Sequence, residues 1–146
     1  MKVSTKGRYG LRVMLELAVS YGSGPMAVDL IAEKQDLSAK YIHVLVAGLR
    51  AAGLVRAIRG PGGGYELTRP PETITLLDVI TALEGPTVPV ECVADTSVCS
   101  RTDRCAARDV WCEIAEAVDG ILAGFTLAEL AARQADKDEE ALGYCI

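Results

Sequence analysis

Four glycines and a proline fall within the six residues Arg59-Gly60-Pro61-Gly62-Gly63-Gly64. Glycine loses the most backbone freedom on ordering and proline lacks an amide hydrogen, so such a run suits neither a helix nor a strand interior. It reads as the tip of a hairpin. Leu54-Val55-Arg56-Ala57-Ile58 before it and Tyr65-Glu66-Leu67-Thr68 after it have the composition of strands. Arg56 and Arg59 put two cations on this hairpin, within reach of a phosphate backbone or a minor groove. A glycine-rich loop can also cradle a nucleotide. Here it joins two strands, no Lys-Ser/Thr follows it and no helix begins there, which sets that reading aside.

What precedes the hairpin gives it a context. Leu11, Met14, Leu15 and Ala18 recur at helical spacing and predict a first helix over Arg8–Tyr21, ended by Gly22-Ser23-Gly24-Pro25. Val28–Gln35 is a short second helix with Leu30 and Ile31 as core candidates. Asp36-Leu37 makes a tight turn, Ser38 is a good N-cap, and a third helix runs to about Ala52 before Gly53 stops it. Ile42, Leu45, Leu49 and Ala52 form one stripe on that helix; Lys40, His43, Ala47 and Arg50 form a second, more polar one. Alone, this pattern fits a plain helical hairpin with a solvated face. Followed by a basic, glycine-rich hairpin, it predicts a winged helix-turn-helix.

Charge divides the chain in the same place. Residues 1–70 hold ten Lys/Arg against five Asp/Glu, whereas residues 71–146 hold five against fifteen. A basic half can lie against phosphate although the whole chain carries a net charge of −5. The sequence therefore predicts a DNA-binding unit over residues 1–70 and a second unit over residues 71–146. No twenty-residue apolar run is present and the first residues lack the apolar stretch of a signal peptide, so a cytoplasmic protein with no membrane partner is expected.

The second unit carries the cysteines. Cys92, Cys99 and Cys105 are spaced C-x6-C-x5-C, and Cys112 follows seven residues on. The first two lie in a polar stretch, Pro86–Thr102, that reads as a loop. The spacing lacks the paired knuckles of structural zinc sites and the C-x-x-C of thioredoxin-type sites. A reducing compartment argues against disulfides. Several thiolates on one loop can wrap an iron–sulfur cluster; ordinary buried cysteines are the alternative. Cys145, in the tail, is read as incidental.

A helix begins at Thr75 and Asp78, which resemble a capping box, and ends at Gly85-Pro86. After the cysteine loop, Trp111, Ile114, Val118, Ile121 and Phe125 predict a long helix, about Cys105–Leu122, with one apolar seam. A partner chain, or the winged helix itself, would cover that seam. Thr126-Leu127-Ala128-Glu129 caps a last short helix, and the acidic stretch Asp136–Glu140 is expected to be loose.

Several phrases together resemble the Rrf-two family of bacterial winged-helix regulators, with its IscR, NsrR and CymR types. They are Lys6-Gly7-Arg8-Tyr9-Gly10-Leu11, the run from Ala52-Gly53-Leu54-Val55 through the wing to Tyr65, Leu83-Glu84-Gly85-Pro86, the cysteine loop, and Arg108-Asp109-Val110-Trp111. The resemblance implies a homodimer joined through a long helix and bound to palindromic operators in double-stranded DNA. For cysteine-bearing members it implies an iron–sulfur cluster, here assigned as 2Fe-2S, on the cysteines matching Cys92, Cys99 and Cys105. Control of iron–sulfur biogenesis or of cysteine and sulfur genes would follow.

The chain also departs from the pattern. IscR-type members have a histidine ligand where this sequence has Arg108, and NsrR-type members can use an acidic residue where it has Arg8. The first cysteine interval is one residue longer than usual. The fourth ligand therefore stays open among Cys112, Glu91, Asp95, Asp103 and Asp109. On a continuous helix Cys112 lies about 10 Å along the axis from Cys105, so it could join only if that helix starts late. The start and the Leu83–Glu91 phrase are most similar to the CymR type, which lacks these cysteines and controls cysteine supply.

The expectation is thus a regulator, not an enzyme. Its DNA contacts would come from Arg8, Ser38, Lys40, Tyr41, His43, Arg50, Arg56 and Arg59, with loss or oxidation of the cluster altering the angle between two winged helices. A clusterless regulator sensing oxidation, zinc or a partner protein, and an iron–sulfur electron carrier, are the rivals.

Overall fold

Two glycines set how the first helix meets the rest of the chain in the computed structural model, which describes residues 2–144. Helix α1 (Thr5–Val19) buries Gly7 and Gly10 against α4 (Leu76–Glu84). A Cβ on Gly7 would land on the Glu84 carboxylate, and one on Gly10 would land in the Leu83 side chain. That approach lets Glu84 Oε1 accept from the backbone N–H of Ser4 at 2.9 Å and of Gly7 at 3.1 Å. A carboxylate on the positive end of a helix is favourable. With Ser4 as N-cap, α1 therefore starts before the expected Arg8. The inward stripe is also rotated: Val13, Met14, Leu17 and Ala18 are buried, while Leu11 and Leu15 are half-buried.

Helices α2 (Val28–Gln35) and α3 (Ala39–Ala51) follow the predicted turn. Asp36 takes the left-handed conformation, φ 53°, and the Ser38 side chain accepts from the Tyr41 N–H. Ile31 is fully buried, but Leu30, expected in the core, is 43% exposed. Ile42, Leu45 and Leu49 are buried together with Val46. Ala52, the expected fourth member of that stripe, is exposed because α3 has ended and Gly53 turns the chain away.

Strands β1 (Val55–Ile58) and β2 (Gly64–Leu67) form the predicted antiparallel hairpin, paired from Val55↔Leu67 to Ile58↔Gly64. The fold is mainly helical with this one small hairpin among the described residues. Tyr65 exchanges backbone hydrogen bonds with Met26, at 2.8 and 2.9 Å, which ties β2 to the segment before α2. Gly64 is needed there, since a Cβ would collide with the Met26 carbonyl.

Thr75 and Asp78 cap α4 reciprocally, as expected. A short helix α5 (Glu91–Ala94) and two single turns occupy the cysteine loop before α6 (Ala106–Ala123) and α7 (Leu127–Tyr144). The last helix corrects the sequence reading. It spans 18 residues rather than a few, and Asp136–Glu140 is helical rather than loose. Three causes combine. Thr126 and Glu129 cap its start reciprocally, at 2.8 and 3.2 Å. Leu127 is fully buried and holds that end in the core. The segment is rich in Ala, Glu, Lys, Arg and Gln, which are strong helix formers.

One core unites α1, α3, the hairpin, Ile74, Val79, Leu83 and Leu127. It runs across Pro70-Pro71, so the charge boundary divides the surface and not the interior. Replacing Gly64 with Ala should cost about 1–3 kcal/mol by overpacking the β2–Met26 seam. Urea unfolding would check this, and an unchanged midpoint would mean that the seam can open without loss.

Candidate DNA-binding face and cysteine loop

The outward face of α3 presents Lys40, His43, Ala47 and Arg50, all exposed. Helix propensity and the buried Ile42–Leu45–Leu49 stripe fix this rotation: with the apolar stripe inward, the polar one must face out. At the start of α3, the Ser38 side chain caps the helix. Tyr41 is half-buried and meets Tyr9 edge-on, with ring centroids 6.1 Å apart, so much of its ring belongs to the α1–α3 contact. Arg8 is exposed on the first turn of α1 and donates to the Thr5 hydroxyl at 3.3 Å. Arg12, one turn on, lies over the Tyr9 ring and donates to Gln35, which commits it to the helix packing.

On the wing the two arginines differ. Arg56 Nε donates to Glu66 Oε1 at 2.7 Å across the hairpin, so its charge is already paired. Arg59 is exposed at the tip, with no hydrogen bond or ion pair among the described residues. The hairpin is joined to α3 through a contact that the sequence did not suggest. The Tyr65 hydroxyl lies 2.8 Å from His43 Nδ1, and the two rings meet edge-on. Tyr65 read only as a strand residue. No local pattern links it to a helix residue 22 positions earlier.

Cys92, Cys99, Cys105 and Cys112 are free thiols. Cys92 is half-buried on α5, Cys99 is exposed in the loop, Cys105 is half-buried at the N-cap of α6, and Cys112 is half-buried two turns into α6. Helix α6 starts immediately after Cys105, so Cys112 does not swing back toward the loop. Among the carboxylates considered as ligands, Asp95 is committed to a turn. Its Oδ1 accepts from the Ser97 hydroxyl and N–H at 2.6 and 2.9 Å, and these bonds hold its carboxyl below the usual carboxylate range. Glu91, Asp103 and Asp109 are exposed. Arg108, at the position where IscR-type members have a histidine, donates through Nε to the Cys92 carbonyl at 2.9 Å and ties the loop to α6.

Among the described residues, no three of His, Cys, Asp and Glu converge to hold a metal. The thiols are the right donors in kind for an iron–sulfur group. As folded, no three of these donors are gathered, so holding such a group would require the loop to close around it. Cys145 lies outside the described residues.

Helix α6 keeps its seam open. Trp111, Ile114 and Ile121 are 39%, 40% and 62% exposed, and Val110 adds to the same apolar surface. Only Ala115 on this helix is buried. Thr87 donates to Asp119 and holds the inner side of α6 to the chain that leaves α4. Phe125, the expected last seam residue, is half-buried beneath the Arg133 guanidinium.

A family model described as an iron-dependent transcriptional regulator matches residues 3–133. The chain belongs to the Rrf2 family. It is 44% identical to the HTH-type transcriptional regulator CymR of Bacillus subtilis over 146 residues, all of both chains. It is 37% identical to the regulator IscR of Serratia proteamaculans over 134 residues, 92% of this chain and 81% of that one. The solved structure of B. subtilis CymR, described as the global cysteine regulator, superimposes with a TM-score of 0.76 at 45% identity, covering 91% of this chain and 98% of that one. T. potens IscR gives 0.74 at 36% identity, covering 92% and 88%. These Rrf2 relatives are transcription regulators, not enzymes, and the winged-helix fold expected from the sequence is theirs too. No helix among the described residues is long and apolar enough to cross a membrane.

Proposed function

We propose that this Rrf2-family chain acts as a homodimer on a palindromic operator in double-stranded DNA. Residues 1–70 would dock, and residues 71–146 would sense and dimerise. The observation that carries this reading is the outward face of α3, with Lys40, His43 and Arg50 exposed beside a wing whose tip carries the uncommitted Arg59. Lys40, His43, Arg50 and the exposed part of Tyr41 face the major groove in this arrangement. Ser38, Arg8 and Arg59 serve the phosphate backbone. Arg56 contributes less, because Glu66 already neutralises it. Arg59→Ala should weaken operator binding and reduce the salt slope by about one unit. An unchanged slope in a salt titration would take the wing tip out of the interface.

The open seam of α6 is the surface that supports a homodimer, since exposed apolar patches of this kind mark interaction sites. Ile114→Asp would place a charge in the seam, at a cost of several kcal/mol per chain if a partner shields it from water. Sedimentation should then give a monomer with poor operator affinity. A variant that stays dimeric would move the interface elsewhere.

Operator affinity is set through the cysteine loop in this reading, and two chemistries compete for it. The donor set and the IscR relatives support an iron–sulfur cluster of the 2Fe-2S kind, with Cys92, Cys99 and Cys105 as ligands and Cys112 as a further candidate. Such a group would supply a redox-sensitive centre next to α6. The Arg108 tie and the likeness to CymR favour the second chemistry, in which free thiols respond to oxidation or to a partner protein without iron.

Anaerobic purification followed by visible absorption and iron and sulfide analysis separates the two. The cluster reading expects iron that is lost in Cys92→Ala, Cys99→Ala and Cys105→Ala and largely kept in Cys112→Ala. Equal loss in Cys112→Ala would make this a four-cysteine site. Colourless, iron-free protein whose operator affinity responds to thiol oxidation establishes the thiol reading.

A further inference from the structure

Tyr65 is 8% exposed, and a polar group on so buried a side chain is normally hydrogen-bonded. The one it has among the described residues is His43 Nδ1, at 2.8 Å. A phenol can donate or accept, and a neutral imidazole carries its proton on one nitrogen and accepts at the other. If Nδ1–H donated to the phenol oxygen, the phenolic hydrogen would have no acceptor among the described residues. If the phenol donates to Nδ1, both groups are satisfied and the ring proton lies on Nε2. That nitrogen is on the far side of the ring, on an exposed residue, with no partner among the described residues.

Tyr65 is also well placed to hold this geometry. Its backbone is bonded on both sides to Met26, its strand is paired with β1, and its ring meets that of His43 edge-on, with centroids 5.9 Å apart.

We propose that Tyr65 is a positioning residue that fixes His43 as an Nε2–H donor, and so makes the chain select against cytosine at the base it faces. This rests on the reading that α3 enters the major groove. There guanine, adenine and thymine each present an acceptor, N7 with O6, N7, and O4 respectively, whereas cytosine presents its N4 amino donor. A donor fixed in place reads the first three and meets a donor at the fourth.

His43 is the one histidine of the chain, so its ring is seen without overlap when histidine is labelled with nitrogen-15. Long-range proton–nitrogen spectra of the free full-length protein should show the neutral ring protonated on Nε2, and Tyr65→Phe should shift it to a mixture of tautomers. A library of operator half-sites should show wild type disfavouring cytosine about tenfold at one position, as one base-edge contact would. Tyr65→Phe should lose most of that preference while binding the other variants within about twofold. His43→Ala should lose it as well, and adding Tyr65→Phe to His43→Ala should change nothing more.

A wild-type ring protonated on Nδ1 overturns the proposal whatever the variants do. So does a Tyr65→Phe protein that keeps the full preference, or a His43→Ala loss spread evenly over all sequences, which would assign His43 to phosphate. Failure of the wild type to prefer any duplex sinks the operator reading itself. An operator bound specifically but without discrimination opposite His43 sinks only the role of Tyr65.

Discussion

The close contact between β2 and the segment before α2 is what keeps the wing beside α3. A two-stranded hairpin has little stability of its own in water. Here it is held by the two Tyr65–Met26 backbone bonds and by the burial of Val55, Tyr65 and Leu67. The missing Cβ of Gly64 allows the first of these, and the others follow once the strand is in place. Without them Arg59 would have no defined position relative to Lys40 and Arg50, and the proposed DNA face would be a set of cations rather than a surface.

The other half of the molecule is organised by what it leaves uncovered. Its core residues, Ile74, Val79, Leu83 and Leu127, join the winged helix in one interior, and α7 packs along α1. Helix α6 meets this interior through α4, with one buried residue and a row of exposed apolar ones. The cysteine loop feeds directly into it, and Arg108 on its first turns binds back to the loop at Cys92. A change in the loop is therefore one hydrogen bond away from the surface proposed to join two chains.

Local chemistry settled much of this in the sequence. The Ser38 cap, the Thr75/Asp78 capping box, the turn at Asp36 and the glycine-rich tip each depend on a few adjacent residues, and the structure has all four. The inward stripe of α3 fixed the polar face opposite it, because a helix that buries one side must expose the other. Membership in the Rrf2 family was legible for a related reason: its phrases sit at turns, caps and close packing, where few residues are allowed.

What escaped were the features that depend on distant partners. The length of α7 was hidden because an acidic stretch looks soluble by composition, while burial of Leu127 and packing on α1 decide that it folds. Leu30 faces outward although its type is apolar, since Ile31 already fills that side of the core. Three cysteines on one loop suggested a shared ligand, yet sequence spacing carries no information on where α5, the following turns and the start of α6 place them. The link between Tyr65 and His43 was likewise invisible until strand and helix were packed together. Sequence by itself determined most of the helices, the hairpin and the family resemblance, because those depend on neighbours in the chain. Tertiary structure alone decided which side chains meet, because contacts between elements are set by how whole faces fit.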